Sequence, residues 1–256
     1  MGSQLSEGND PMNSKKPVAW ITGGSSGIGY AVAEALARCG YRVVLSARGQ
    51  DALRSAAQRI SDGGFNADYV QMDTTIPAEV TQAHQTIISR HRAVDLLVNC
   101  AGFNVAARQW HELTVEDFER VIAGNLTGTF YTVNAVLPEM RKRQSGVIIN
   151  VASIAGKVIT VGGGVAYTVA KQGVITLTMS INMAEFRNGI RACVISPGET
   201  ATPAMGRRSS PPTQEVLDRM LKPEDVAAAV QFAAQMPKHV AIHEIVISPT
   251  WNRAWV

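Results

Sequence analysis

A parallel α/β sheet wound with helices on both faces is the fold class this chain predicts, and three observations predict it. Short apolar runs of strand length alternate with longer amphipathic runs along most of the chain. The 256 residues suit one large domain rather than two. Hydrophobic residues make up 46% and charged ones 18%, enough to build a sizeable core.

Strand-like runs fall at 18–21, 42–45, 68–71, 96–99, 147–151, 191–195 and 242–247, and helical patterns at 28–38, 51–60, 78–90, 114–143, 166–186 and 223–235. In the first helix Ile28, Val32 and Leu36 recur one turn apart, and Gly40 ends it. Strands separated by crossover helices imply a parallel sheet covered on both faces. Two helices are too apolar to have one wet face. The 166–186 pattern carries Val169, Val174, Ile175, Leu177, Met179, Ile181, Met183 and Phe186 around most of its circumference. The 114–143 pattern does the same with Phe118, Val121, Ile122, Leu126, Phe130, Val133 and Leu137. One side can cover the sheet; the other calls for a second apolar surface, most simply another subunit. The stretch 199–221, rich in Pro, Ser and Arg, reads as a loop over a site. Residues 1–16 read as a polar mobile leader, with Met12 a candidate natural start, and 17–256 as one domain.

Charge and composition exclude several classes. With 24 Lys and Arg against 21 Asp and Glu the net charge is only +3, with no basic stripe among aromatics, so neither nucleic acid nor an anionic membrane is an expected partner. No run approaches the roughly 20 apolar residues of a membrane span. Cys39, Cys100 and Cys193 are odd in number and far apart, and read as free thiols inside elements of a protein kept reduced in the cytoplasm. His84, His91, His111, His239 and His243 are dispersed and read as surface residues, so no metal site is expected.

The first strand runs into Thr22-Gly23-Gly24-Ser25-Ser26-Gly27-Ile28-Gly29 and then a helix. Glycine is needed here because a Cβ would block the tight turn and hold the backbone away from a pyrophosphate. The helix start then presents free N–H groups and its positive dipole end to the anion. Strand, glycine turn and helix in that order are the nucleotide-binding geometry of a Rossmann fold. Gly23-x-Ser25-x-Gly27 also fits the nucleophile elbow of α/β-hydrolases, but an elbow follows a later strand and leaves the constellations below unexplained. The second strand ends Ser46-Ala47-Arg48 without an acid. A carboxylate there would favour the ribose 2′-OH of NAD(H); the planar donor Arg48 instead suits the 2′-phosphate of NADP(H). Asp73, after the third strand, is placed either to accept from the adenine amino group or to cap the turn at Thr74-Thr75.

The fifth strand ends at Ser153, and the next helix carries Tyr167-Thr168-Val169-Ala170-Lys171. Tyr and Lys four apart share one helical face. A phenol is a poor base at neutral pH, and a neighbouring ammonium favours the phenolate. A serine at a strand's carboxyl end can hydrogen-bond a substrate oxygen while Tyr167 exchanges the proton.

The ordered set Thr22-Gly-x-x-x-Gly-x-Gly29, Asn99-x-Ala101-Gly102, Asn125, Ser153, Tyr167-x-x-x-Lys171 and Pro197-Gly198 resembles the short-chain dehydrogenase/reductase family, over 18 to about 248. The resemblance implies a seven-stranded, mostly parallel, doubly wound sheet and a homotetramer, at least a homodimer, with 114–143 and 166–186 at a dimer face. It implies NADP(H) in preference to NAD(H) and a small alcohol or carbonyl substrate. Tyr167 would be the general acid/base and Ser153 the orienter of the carbonyl. Lys171 would hold the nicotinamide ribose and assist Tyr167, and Asn125 would anchor a water in the proton relay. Gly23, Ser25, Ser26 and Ile28 would cradle the phosphates. Asn99 and Ala101 would line the adenosine ribose, and Pro197, Gly198 and Thr202 would flank the nicotinamide, whose hydride leaves from the pro-S face.

Three features depart from the family pattern. Cys100 stands where a second Asn is usual, and the spacing from Ser153 to Tyr167 is one position longer, with Gly162-Gly163-Gly164 inside it. The end, 246–256, lacks the usual Asp-Gly-Gly and is similar to reductases of small hydroxy acids, amino-acid-derived alcohols and related carbonyls. A nucleotide-sensing Rossmann protein without turnover is the alternative reading, and the intact Ser153, Tyr167 and Lys171 argue against it.

Overall fold

The structure, a computed structural model, describes residues 16–159, 162–207 and 211–251. The expected leader, apart from Lys16, and residues 252–256 lie outside the described residues. Seven strands form one sheet in the order β3-β2-β1-β4-β5-β6-β7, every pairing parallel. They are β1 (Val18–Thr22), β2 (Arg42–Ser46), β3 (Ala67–Tyr69), β4 (Leu96–Asn99), β5 (Gly146–Val151), β6 (Ile190–Pro197) and β7 (Glu244–Ile247). The chain starts at the centre, winds out to β3, then returns past β1 and winds out to β7. That reversal opens a crevice between β1 and β4, at the carboxyl ends of the strands, where open α/β sheets bind ligands.

Helices α1 (Gly27–Arg38), α2 (Gln50–Asp62), α3 (Pro77–His91), α4 (Val115–Ile122), α5 (Gly128–Arg143), α6 (Val165–Glu185), α7 (Gln214–Arg219) and α8 (Pro223–Ala234) supply the crossovers and covers. One core layer packs Val32, Leu36, Leu53, Val226 and Val230 against Ile21, Leu45 and Ile195. The other packs Val80, Ile87, Val136, Met140 and Ile181 against Trp20, Val44, Leu97 and Ile148. β1, buried at every position, needs both layers, as a central parallel strand must.

Several boundaries differ from the sequence expectation for physical reasons. The strand expected at 68–71 pairs at Ala67–Tyr69, and the one expected from 242 begins at Glu244. The 114–143 pattern is α4 and α5 joined by a wider turn of π geometry at Ala123–Thr127, a register change that apolar periodicity does not record. The 199–221 loop contains a 3-10 turn (Pro203–Arg207) and α7, whose start is capped by the Thr213 hydroxyl accepting from Val216 N at 3.4 Å. Residues 208–210 of it lie outside the described residues.

Apolar side chains do remain outside the core on both helices: Phe130 on α5 and Val169, Met179 and Met183 on α6 are exposed, Met183 at 80%. The cysteines are free, but only Cys193 is buried within an element; Cys39 ends α1 and Cys100 follows β4. Two histidines are not surface residues. His91 is 7% exposed and pairs with Asp68 at 3.0 Å, and His84 stacks on Trp20. Among the described residues no group of three or more ligating side chains could hold a metal ion.

Candidate active site

The turn after β1 has the shape its glycines predict. Gly23 and Gly27 take φ of +68° and +55°, which L side chains rarely adopt. A Cβ on Gly23 would lie 2.9 Å from Ala101 N, so this turn lies directly against the segment after β4. Ser25 is half-buried, and Ser26 is the exposed N-cap of α1, its hydroxyl making no cap bond. Ile28 is half-buried in the first turn. Thr202 comes from far along the chain to this turn: its Cβ and Cγ2 would lie 3.4 Å from a Cβ on Gly27. The loop after β6 therefore folds back over the glycine turn. Pro197 ends β6, and Gly198 N donates to Ile247 O at 2.7 Å, tying that loop to β7.

At the tip of β2, Ser46 is buried and its hydroxyl accepts from Trp20 Nε1 at 2.9 Å. Arg48 is 70% exposed, 4.0 Å from the Asp73 carboxylate. Asp73 Oδ1 accepts from Thr75 N at 2.9 Å and from Thr75 Oγ1 at 2.8 Å. Of the two roles expected for Asp73, the structure shows the capping one.

A buried polar ladder ties the strand ends together, and the sequence reading missed it. Asn99 Nδ2 donates to Asn150 Oδ1 at 2.9 Å, Asn150 Nδ2 donates to Thr178 Oγ1 at 2.9 Å, and Thr132 Oγ1 donates to Asn99 Oδ1 at 2.7 Å. Thr22 Oγ1 accepts from Ala101 N at 3.1 Å. Polar groups this deep must be paired, so the ladder sets the register of β1, β4 and β5 against α5 and α6. The signal was Asn99 and Asn150 at the ends of otherwise apolar runs. Both ends of the Asn99 amide are used here, which leaves its main chain for any contact with a ribose.

Ser153, Asn125, Tyr167 and Lys171 lie at the carboxyl side of β4 and β5. Ser153 caps the 3-10 turn Ile154–Gly156, its Oγ accepting from Ala155 N at 3.1 Å, which leaves its proton to donate elsewhere. Tyr167 lies in the first turn of α6, half-buried, with Lys171 Nζ 5.5 Å from its ring centroid. Lys171 is 4% exposed and donates to Val151 O at 3.0 Å. Asn125, fully buried in the wide turn, donates to Phe103 O at 2.7 Å and Val121 O at 2.9 Å, while its Oδ1 has no partner among the described residues. Gly102 joins this group, because a Cβ there would lie 2.5 Å from Asn125 Oδ1 and 3.3 Å from Lys171 Nζ. A recess that a Cβ on Gly102 would fill, lined by a buried ammonium and an amide oxygen without a partner among the described residues, fits the polar ribose of a dinucleotide and a relay water.

Burial pushes Lys171 down from its ordinary 10.5 to about 8, against a smaller opposing pull from Cys100, whose own thiol desolvation pushes up to about 12. Below about pH 8 the folded chain without cofactor carries this ammonium at a cost of order 3 kcal/mol. Between about 8 and 10.5 the unfolded chain binds the extra proton, so stability rises with pH until the cost is gone. Lys171→Met should therefore unfold at a higher temperature relative to wild type at pH 7 than at pH 10.5, by thermal melts of the cofactor-free protein. A pH-independent difference would rule out the buried charge as its cause.

The short chain dehydrogenase family profile matches residues 17–213. The chain is 37% identical to an uncharacterized oxidoreductase of Staphylococcus saprophyticus, over 91% of this chain and 97% of that one. A variant of actinorhodin polyketide ketoreductase, solved with NADPH, superposes with a TM-score of 0.85 at 30% identity, covering 91% of this chain and 96% of that one. An alcohol dehydrogenase of the archaeon Thermococcus sibiricus, complexed with 5-hydroxy-NADP, does so with a TM-score of 0.80 at 28% identity, covering 93% and 98%.

Proposed function

Since the chain belongs to the short-chain dehydrogenase family, we propose that it moves a hydride between NADP(H) and a small alcohol or ketone, with Tyr167 as the general acid/base. The observation that carries this reading is the fully enclosed ammonium of Lys171 beside the Tyr167 ring. A buried cation held only by a main-chain carbonyl among the described residues is costly to keep and has a use where a phenol must give up its proton.

The dinucleotide, when bound, supplies or takes the hydride; the chain's own groups do the rest. The turn at Gly23, Ser25, Ser26 and Ile28, with the α1 start behind it, receives the pyrophosphate, and Ala101 borders the adenosine side. Pro197, Gly198 and Thr202 close over the nicotinamide side. Ser153 donates to the substrate oxygen with the proton that its Ala155 bond leaves available. Tyr167 passes its proton to that oxygen in reduction and takes it back in oxidation. Lys171 binds the ribose hydroxyls and favours the phenolate, and Asn125 Oδ1 holds a water that reloads the proton. Arg48 supports NADP(H) over NAD(H), as do the two neighbours solved with NADPH and a modified NADP.

A panel of ketones and aldehydes assayed by NADPH oxidation, and the matching alcohols by NADP reduction, tests the reaction. Turnover with none of them would favour the non-catalytic, nucleotide-sensing alternative. We also propose a homotetramer, at least a homodimer, closed through Phe130 on α5 and the exposed Val169, Met179 and Met183 on α6, for which light scattering should return at least twice the 27.4 kDa chain mass. A monomer would refute that assembly. No helix among the described residues is long and apolar enough to cross a membrane, and we place the enzyme in the cytoplasm, where its free cysteines stay reduced.

A further inference from the structure

Three consecutive glycines, Gly162, Gly163 and Gly164, lie between Ser153 and α6, and the structure shows what holds them. Arg108, on the segment between β4 and α4, reaches across to them. Its Nη1 donates to Gly162 O at 2.5 Å while its Nε donates to Val105 O at 3.1 Å. One planar guanidinium therefore ties the glycine turn to its own segment through two carbonyls. Asn104 adds a second tie, its Nδ2 donating to Gly163 O at 2.9 Å. Gly164, with φ +71°, packs so closely on Arg108 that a Cβ would lie 2.6 Å from Arg108 Cβ. The carbonyl of Arg108 then accepts from Val165 N at 3.3 Å, satisfying one of the open donors at the start of α6. Tyr167 is the third residue of that helix.

We propose that Arg108 is a positioning residue for the reaction: it clamps the 162–164 turn and, through it, holds the first turn of α6 so that the Tyr167 phenol meets the substrate oxygen. This rests on the function proposed above. Consecutive glycines carry the largest backbone freedom of any residues, and a reacting group displaced by about 1 Å loses up to a hundredfold in rate. A glycine turn leading straight into the residue that moves the proton therefore needs an external tie, and the guanidinium of Arg108 is built to be it. Lys171, one turn further along α6, is anchored separately on Val151 O, so the clamp acts on the phenol more than on the cofactor side.

The test is steady-state kinetics of full-length Arg108→Ala with a ketone that wild type reduces, NADPH binding by fluorescence titration, and amide hydrogen exchange. kcat should fall about ten- to a hundredfold, with NADPH affinity within twofold and faster exchange confined to peptides spanning 162–170. In a Tyr167→Phe background the same change should lower residual turnover less than twofold, because the group it positions is already gone. If Arg108→Ala does not fold, Arg108→Lys, which replaces the fork by a single nitrogen, should still lower kcat at least threefold. An unchanged kcat in an active enzyme, an equal loss in the Tyr167→Phe background, or a fall in NADPH affinity as large as that in kcat would each overturn the clamp alone. A wild-type chain that reduces no carbonyl would overturn the proposed function and this inference together.

Discussion

Tyr167→Phe is expected to lower kcat by about 10²- to 10⁴-fold while NADPH affinity stays within a few-fold. The substitution removes one oxygen and keeps the ring that Lys171 faces at 5.5 Å. Ser153 keeps its bond to Ala155 N and Lys171 keeps Val151 O, so the groups proposed to orient the carbonyl and to hold the ribose retain these anchors. The loss belongs to the transition state and should appear in kcat and kcat/KM alike. A variant that retains most of its kcat would remove Tyr167 from the chemistry. Lys171→Ala should differ in kind, damaging NADPH affinity and kcat together, because the same ammonium is proposed to serve ribose and phenol alike.

Cofactor choice carries the second large effect. Arg48→Ala should weaken NADPH by about ten- to a hundredfold, the worth of a hydrogen bond to a charged group, and leave NADH nearly unchanged. At 70% exposure Arg48 is free to meet an anion from solvent, and its 4.0 Å separation from Asp73 is too long for a firm pair. Ser46, buried and bonded to Trp20, takes no part. Ala47→Asp should go further, repelling the 2′-phosphate while offering an acceptor to a 2′-hydroxyl. The backbone there is held by Met72 N donating to Ala47 O at 3.2 Å, so the new carboxylate is introduced without freeing the strand end. Both cofactors should be titrated at one ionic strength, since an exposed charge is screened by salt. Wild type that prefers NADH, with Arg48→Ala indifferent, would make Arg48 a solvated loop residue.

What the sequence by itself determined about this protein follows from short-range geometry. Apolar runs of strand and helix length, the glycines at 23 and 27, and the four-residue spacing of Tyr167 and Lys171 are each set within a few positions of the chain. All reappear in the sheet, the turn and the first two turns of α6. Only the tertiary structure decided which distant residues meet. It put Thr202 over Gly27, Gly102 against Asn125 and Lys171, and Arg108 on the 162–164 turn. It also turned Asn125 inward through one wide helical turn and joined Asn99 to Asn150 beneath the site. Such encounters are selected by packing and by the need to pair every buried polar group, and neither constraint repeats along the chain with a period that can be read from it.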